Sequence, residues 1–445
     1  MVITGLDALR AMSPPEFGHA MLQYFAFDPA YTNINHGAYG CPPLPVIAAC
    51  RALDSEAEAN PDRWMRFGYP PRLADVRQRI AAMIGAKTEE CVMIPNASHG
   101  ISTVLRNIEW QKDDIIITFN TTYNSIARTA QYLSDVPPHP AMSEFTLKFP
   151  TAPAEIVDEF RAHLRSLPRG NGQKVVAIID SIISLPAVLL PWKEMVQVCK
   201  EEGVMSLIDA AHSIGQEPNL DLSKAQPDFW VSNCHKWLYA KRSCAVLYVP
   251  LRNQHLIKSS FPTAAAYPSP ADVTGSNFVE QFECVHPNSK DTCPRADDSP
   301  GSGIATIDFV PYFSVAPALD FRHWLGGEEK INAYCRQLAR QGGKRLAQIL
   351  GTTGTVTDPT GEMTLNMFNV LLPLPASLEP KAAVVQKTRE KLILERNMFA
   401  PVFFFQDGWW ARCSAQVWNE LSDFEKFGEI LLEVCAEIER ELRAE

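Results

Sequence analysis

Residues able to support carbanion chemistry follow two short apolar runs in the middle of the chain. Asp209 ends the run SLIDA, and Lys236 comes three residues after FWVSN. A lysine amine can form a Schiff base and then move protons, while a carboxylate in the same site can hold a heterocyclic nitrogen protonated. Tyr123, just beyond DIIITF, offers an aromatic face on which a flat ring can stack. Taken singly, the three residues also fit a helix N-cap, a surface lysine and a core aromatic.

The elements that must position these side chains alternate between strand and helix patterns. Leu73, Val76, Ile80 and Ile84 lie on one face of a helix predicted over 70–84, and a second helix is predicted over 98–109. The apolar runs typical of buried parallel strands are 114–119, 175–180, 206–210, 229–233 and 244–249. This alternation predicts an α/β fold with a doubly wound, mostly parallel sheet, in which ligands bind beyond the carboxyl ends of the strands.

The second half of the chain predicts a smaller α/β unit. Residues 262–303 are rich in Pro, Ser, Gly and Asp and are expected to be irregular. Helical patterns resume at 315–350, and strand-like and helical segments then alternate at 365–373, 381–396, 400–405 and from 422. We predict three regions: an N-terminal segment 1–64 that joins the small domain, a large cofactor domain 65–310, and a linking helix with the small domain over 311–445.

Composition excludes several classes of partner. The 445 residues are 46% hydrophobic and 21% charged, with a formal charge of −10 and no basic cluster, so nucleic acid is not expected as a partner. No apolar run reaches membrane-spanning length, and the N-terminus lacks the pattern of a signal peptide, so a cytoplasmic location is expected. The 11 cysteines are scattered without zinc spacing, which predicts neither a metal site nor a disulfide framework.

Two strings together resemble the cofactor core of a known family. IDAAHSIG (208–215) followed by SNCHKWL (232–238) resembles fold-type I pyridoxal 5′-phosphate (PLP) enzymes of the class V aminotransferase family. NINHGAYG (33–40) and WARCSAQVWN (410–419) resemble segments of the branch that includes isopenicillin N epimerase. Within that branch, the chain is most similar to the fungal hercynylcysteine sulfoxide lyases and to loline-type enzymes of secondary metabolism.

The resemblance implies a role for each residue around the cofactor. Lys236 would carry PLP as a Schiff base, Asp209 would keep the pyridine nitrogen protonated, and Tyr123 would stack on the ring. His212 stands where many relatives contact the phenolic oxygen. The phosphate would be bound by the backbone N–H groups of a helix N-terminus and by flanking side chains, which are Ser98, His99, Gly100, Ser232 and His235. Thr306 of a second subunit would complete the site, which implies a homodimer.

The resemblance also implies how an α-amino acid would bind. Arg412 would hold the α-carboxylate, because a guanidinium matches a carboxylate with two parallel hydrogen bonds. Asn35, His36 and Gly37 would close over the same carboxylate. Arg66 would bind an acidic group at the far end of the substrate.

The residues leave the reaction itself open. An external aldimine and a Cα carbanion can lead to β-elimination with C–S cleavage, to epimerisation, or to carbon–carbon bond formation. A non-catalytic scaffold is the remaining alternative. The related lyases carry a Cys after the stacking Tyr as a proton donor, whereas residues 131–150 here contain none. His139 is the conspicuous titratable substitute in that stretch.

Overall fold

Two β-sheets organise the protein. The computed structural model describes residues 9, 11–262, 267, 269, 276–283, 307–353, 358 and 360–444. Seven strands form the large sheet in the order β1-β7-β6-β5-β4-β2-β3, and three form an antiparallel sheet in the order β8-β10-β9. The strands are β1 (Cys91–Ile94), β2 (Ile115–Phe119), β3 (Ala141–Phe145), β4 (Val175–Asp180), β5 (Met205–Asp209), β6 (Phe229–Asn233), β7 (Ala245–Tyr248), β8 (Met367–Leu371), β9 (Val402–Phe405) and β10 (Gly408–Ser414).

Helices separate the strands of the large sheet and complete the smaller unit. The helices of ten or more residues are Leu44–Ala59, Tyr69–Ile84, Ala97–Asn107, Asn124–Asp135, Pro153–Ser166, Trp192–Glu201, Val315–Trp324, Gly327–Leu350, Lys381–Glu390 and Leu421–Ala444. The shorter helical segments are His19–Tyr24, His36–Tyr39, Pro61–Arg63, Trp64–Gly68, Thr88–Glu90, Leu222–Ala225, Leu251–Leu256, Phe278–Glu283, Val310–Phe313 and Lys391–Glu395.

The predicted α/β architecture is confirmed. The five predicted strands of the large sheet match β2, β4, β5, β6 and β7 to within one residue at either end. The sheet is mostly parallel, because β7 alone runs antiparallel to its neighbours β1 and β6. Sequence patterns missed β1, which has only four residues, and β3, an edge strand whose exposed residues do not form an apolar run.

Both faces of the large sheet are buried, as a doubly wound fold requires. In β2, Ile115 and Ile117 contribute to one hydrophobic core and Ile116 to another, because successive side chains of a strand point to opposite faces. The helix Tyr69–Ile84 packs into the first core and Ala97–Asn107 into the second. Burial on both faces explains the nearly continuous apolar runs of the central strands.

Strand directions bring six carboxyl ends to one edge of the large sheet. The five strands from β2 to β6 are parallel, and β1 shares their direction because β7, which lies between β6 and β1, is antiparallel to both. This edge, which we call the carboxyl edge, therefore collects Tyr123, Asp180, Asp209 and Lys236, and it also receives the start of the helix Ala97–Asn107.

The N-terminal segment contacts both units. Thr32 forms a bridge with Met398, and Ser414 N–H donates to Ile34 O at 2.7 Å, which attaches the segment to the small sheet. The helix Leu44–Ala59 instead buries Val46 in the core of the large unit. Between them, Gly40 has φ +64° and a Cβ there would lie 1.6 Å from the His235 carbonyl oxygen, so only glycine permits this crossing next to Lys236.

The irregular stretch predicted over 262–303 lies largely outside the described residues. Within it, residues 278–283 form a short helix whose last residue, Glu283, is buried and pairs with Arg77. None of the described helices is both long and apolar enough to cross a membrane. The described His, Cys, Asp and Glu side chains form no group of three that could hold a metal ion.

Candidate active site

A cavity of about 200 Å³ lies at the carboxyl edge. Six of the residues that the sequence singled out line it, which are Ser98, Tyr123, Asp209, His212, His235 and Lys236. Because the contributing strands are parallel, residues that are up to 138 positions apart in the chain meet around one space. This arrangement is the strand-end site expected for a doubly wound sheet.

Lys236 and His212 form the polar centre of the cavity. The indole N–H of Trp237 donates to His212 Nδ1 at 3.3 Å, and His212 Nε2 lies 2.9 Å from Lys236 Nζ. An indole nitrogen only donates, so the neutral ring carries its proton on Nε2 and directs it at the lysine amine. Burial and the nearby Arg412 lower the pKa of Lys236 to about 7. At neutral pH much of the amine is therefore free to react or to accept a proton.

Asp209 and Asp180 place two carboxyl groups side by side. They end neighbouring parallel strands in register, both line the cavity, and they are only 3% and 4% exposed. Ala211 N–H donates to Asp209 Oδ1 at 3.1 Å, whereas Asp180 Oδ2 has no hydrogen-bond partner in the described part of the chain. Burial raises the pKa of both groups. The sequence analysis did not single out Asp180, because it treated this residue only as the last residue of a strand. The sequence feature that could have identified it is an acidic residue at the end of a strand, as at Asp209.

The helix Ala97–Asn107 offers fewer free donors to an anion than its sequence suggested. His99 N–H donates to the Asn96 side chain at 2.9 Å, and Gly100 N–H donates to the Asn96 carbonyl at 3.2 Å. Gly100 has a packing role, because a Cβ there would lie 2.4 Å from Ile94. Only Ser98, of the three predicted phosphate contacts, lines the cavity. The His99 and Gly100 N–H groups, which the sequence analysis had assigned to phosphate, therefore both donate to Asn96 in the first turn of the helix.

The residues just before Lys236 differ in whether they face the cavity. The Ser232 hydroxyl donates to Ala210 O at 2.5 Å and accepts from Ile214 N–H, and Asn233 lines the cavity in its place. Ser232 and Asn233 point to opposite faces because they are successive residues of β6. His235 lines the cavity too, and its Nδ1–H donates to Cys244 O at 3.0 Å. Burial lowers the pKa of His235 to about 4, so the ring is neutral and Nε2 carries a lone pair.

Arg412 is a buried cation with neutral partners. Its guanidinium donates to Ser184 O and Oγ at 3.1 Å each and to Asn35 Oδ1 at 3.0 Å, and its Nε has no partner in the part of the chain that the structure describes. No described carboxylate lies within 4 Å of it. Burial lowers the pKa of Arg412 to about 10, so the group is still charged at neutral pH. A buried guanidinium held only by neutral groups is suited to an incoming carboxylate.

The segment Asn35–Gly37 approaches Arg412 through one side chain. Asn35 bonds to the guanidinium, and Gly37 N–H donates to Ser414 Oγ at 3.2 Å. The His36 ring instead packs edge-on against Trp237, Tyr239 and Trp418, and burial lowers its pKa to about 3. His36 therefore sits as a neutral ring in an aromatic cage. Tyr39, which the sequence analysis passed over, lines the cavity and is 69% exposed.

Three further residues singled out in the sequence lie away from the cavity or outside the described chain. Arg66 is exposed on the helical turn Trp64–Gly68 and does not line the cavity. Thr306 lies outside the described residues. His139 is exposed, does not line the cavity, and bonds through Nδ1 to Ser134 O. Tyr123, in contrast, lines the cavity with its side chain 49% exposed.

Arg322 joins the two loops that carry His212 and Lys236. Its guanidinium is fully buried and donates to Gly215 O at 2.8 Å and to Trp237 O at 2.7 Å. Glu328 accepts two further bonds, each at 2.5 Å, from the same group. No sequence pattern pointed to this residue, because its partners are backbone carbonyl groups more than 80 positions away.

The chemistry of the cavity fits PLP. Lys236 supplies an amine with a lowered pKa, and the buried carboxyls supply a partner for a ring nitrogen. Ser98 and His235 supply polar contacts for a phosphate, and Tyr123 supplies an aromatic face. Asp180 Oδ2 and Arg412 Nε, both buried without a partner in the described structure, leave room for further polar contacts. Fold and site together define a PLP-dependent enzyme of fold type I.

Comparison with known proteins identifies the family. Residues 42–263 match the family Aminotransferase class-V. The L-cysteine desulfhydrase-like protein lolT1 of Epichloe uncinata is 33% identical, with 95% of this chain and 96% of that protein aligned. Hercynylcysteine sulfoxide lyase of Schizosaccharomyces pombe is 29% identical over 94% of this chain and 98% of that protein. The solved structure of the cystine C–S lyase C-DES with cysteine persulfide has a TM-score of 0.69 at 17% identity, covers 91% of this chain and 97% of its own, and supports the fold alone.

The chain therefore belongs to the class V aminotransferase family, as the resemblance in its sequence implied, and it is a PLP-dependent enzyme.

Proposed function

We propose that the protein is a C–S lyase that cleaves the Cβ–S bond of a sulfur-containing α-amino acid by β-elimination. The observation that carries this proposal is the buried Arg412 with its neutral partners, one of which, Ser184, lines the cavity centred on Lys236. A carboxylate held there presents the remainder of an amino acid to the lysine amine. The names of the two relatives, a desulfhydrase-like protein and a sulfoxide lyase, support sulfur as the leaving atom.

Each side chain has a task that its contacts support. Bound PLP supplies an electron sink for negative charge at Cα. The Lys236 amine accepts the Cα proton, and the His212 Nε2–H donor, held by Trp237, fixes the position of Nζ. Asp209 supplies negative charge for a protonated ring nitrogen. Elimination then breaks the Cβ–S bond, the sulfur leaves with the bonding electrons and takes up a proton, and water converts the released enamine into pyruvate and ammonia.

The described residues around the cavity include no buried cysteine that could protonate the leaving sulfur. No cysteine lines the cavity in the described chain, and His139 lies elsewhere. The phenol groups of Tyr39 and Tyr123 line the cavity, but both side chains are at least 49% exposed. General acid catalysis contributes ~10²–10⁴-fold to such a step. We therefore expect removal of the Cα proton to be faster than loss of sulfur.

An isotope experiment tests the proposal. In D₂O, a cysteine-conjugate sulfoxide should exchange its Cα hydrogen for deuterium much faster than it releases pyruvate, as measured by NMR alongside a pyruvate assay. Equal rates would show a full lyase with another proton donor. Exchange without any pyruvate would contradict the lyase proposal and favour epimerisation or bond formation at Cα. Absence of both reactions with every sulfur amino acid tested would favour a non-catalytic scaffold.

We further propose that the active unit is a homodimer, in which Thr306 of the partner subunit completes the phosphate site. Tyr39 and Tyr123 border the cavity and remain exposed in the single chain, which supports a second subunit at its mouth. Sedimentation velocity should find an active dimer. Mixing Lys236→Ala and Thr306→Ala subunits should give more activity than the two variants separately, because a mixed dimer has one intact site. An active monomer, or mixing without effect, would contradict the proposal.

A further inference from the structure

We propose that Asp180 is a second acid of the cofactor site and stays protonated beside an ionised Asp209. The pair therefore presents one negative charge, rather than two, to the ring nitrogen of PLP. The inference rests on the PLP site described above and concerns how that site distributes its protons. Asp180 acts through Asp209, which makes it a positioning residue rather than a catalytic one.

Strand geometry brings the two carboxyl groups together. β4 and β5 are parallel neighbours, and Asp180 and Asp209 are the last residue pair of their register. Neighbouring strands lie about 4.8 Å apart, and residues in register point to the same face. Ser181 N–H donates to the Asp209 carbonyl at 2.9 Å, which continues the register beyond the strands. Both side chains line the cavity and are nearly inaccessible from outside.

The surrounding charges favour a single ionised carboxylate. Lys236 is the cation that acts on both acids, and Arg412 acts on Lys236. His212 and His235 also line the cavity, and burial lowers the pKa of both, so these imidazoles are neutral; the other titratable side chains on its wall are the phenols of Tyr39 and Tyr123. Two carboxylates that share a buried site cannot both ionise without a large penalty, so one of them keeps a proton.

Both acids accept a backbone hydrogen bond, so their remaining contacts and the charge of Asp209 together identify which carboxyl keeps the proton. Ala211 N–H donates to Asp209 at 3.1 Å and so stabilises its ionised form. Asp180 Oδ2 lacks any partner in the described structure. Burial and the neighbouring Asp209 raise the pKa of Asp180 well above that of an ordinary aspartate. Asp180 is therefore the neutral member of the pair, and Asp209 is the member available to a protonated ring.

Infrared difference spectroscopy tests the assignment directly. At neutral pH, the wild-type apoprotein and the PLP-loaded enzyme should both show the C=O band of a protonated carboxyl group. Asp180→Asn should remove the Asp180 part of this band. In Asp209→Asn, the carboxyl group of Asp180 remains, and its pKa should fall because its charged neighbour is gone. Glu283 is a second buried carboxyl with a raised pKa, so the comparison is between band intensities: an intensity in Asp180→Asn equal to that of wild type, or no band in wild type, would overturn the proposal.

Activity separates the two acids, because an amide imitates a protonated carboxyl group but not a carboxylate. Asp209→Asn should lose about 100-fold or more in the rate of Cα hydrogen exchange and much less in PLP affinity, and Asp180→Asn should lose at least about tenfold less in that rate than Asp209→Asn does. Equal losses in the two variants would mean that Asp180 is a second counter-ion. Failure of the wild type to bind PLP would refute the cofactor site but would leave the apoprotein measurements valid.

Stability of the apoprotein gives a readout that does not involve PLP. A raised pKa in the folded state means that the folded chain binds more protons than the unfolded chain above the ordinary aspartate pKa of 3.8, so stability falls as pH rises. The thermal midpoint of wild type should therefore fall between pH 5 and pH 8 more steeply than that of Asp180→Asn. Asp180→Ser, which removes the acid and keeps a hydroxyl, serves if the amide variant does not fold. Parallel profiles for wild type and variant would contradict the proposal.

Discussion

Lys236→Ala is expected to lose turnover by at least about 10³-fold and to lose the visible absorbance of a lysine-bound cofactor. Lys236 is the only lysine whose side chain lines the cavity in the described chain, and His212 Nε2 lies 2.9 Å from its amine. The substitution removes both the covalent attachment of PLP and the group that accepts the Cα proton. Absorbance spectra, retention of PLP on desalting, and the deuterium exchange assay measure these effects separately.

Lys241→Ala is the matched control for this substitution. Lys241 lies five residues further along the same segment, and its backbone N–H donates to Ser314 Oγ rather than into the cavity. The control should keep both absorbance and turnover. Added methylamine should restore part of the Cα hydrogen exchange in Lys236→Ala, because a small amine can occupy the space of the lost side chain. Normal turnover by Lys236→Ala would refute the assignment.

Arg412→Gln should lower kcat/KM for an α-amino acid by about 100-fold or more, because the variant lacks the charge that pairs with a buried carboxylate. Arg412→Lys keeps the charge but loses the planar pair of donors, and it leaves Asn35 and Ser184 short of a partner. We expect an intermediate loss of about tenfold for the lysine variant. Steady-state kinetics of both variants measure the effect.

An amine that lacks the carboxylate provides the control for Arg412. Wild type and both variants should process the decarboxylated analogue of the substrate equally slowly, since the lost interaction is absent from that compound. PLP should stay bound in both variants, because the hydrogen bonds of Arg412 reach Ser184 and Asn35 rather than the lysine, while the loss of the Arg412 charge in Arg412→Gln should raise the pKa of the Lys236 amine. A variant that loses activity equally towards acid and amine would show that Arg412 supports the fold instead of binding the substrate.

The predicted strands show how much of the fold can be predicted from the sequence. Central strands such as β4 and β6 are buried on both faces, so each is a compact apolar run that can be recognised without its neighbours. β3 is exposed and short of apolar residues, so it gives no local signal, and the four-residue strand β1 was not assigned a range. Asp209 and Lys236 were recognisable because an acid and a lysine follow such runs and because the surrounding strings resemble a family.

Two local features of the site were missed in the sequence analysis, a helix cap and the alternation of side chains along β6. The Asn96 side chain takes the His99 N–H that an anion was expected to use, and Ser232 turns to Ala210 and Ile214 while Asn233 faces the cavity. These outcomes follow from the helix cap and from the alternation of side chains along β6. Sequence spacing predicts that such residues lie near the site, but the spacing used here did not predict the direction in which each side chain points.

The sequence alone determined that the chain forms a doubly wound α/β fold with Lys236 and Asp209 at strand ends, because periodicity and strand-end position are local properties. Tertiary structure alone decided that Asp180 stands beside Asp209, that His36 lies in an aromatic cage, and that Arg322 joins the loops of His212 and Lys236. Each of these contacts links segments at least 29 residues apart. Strand order and packing create such contacts, and no short pattern in the chain specifies them.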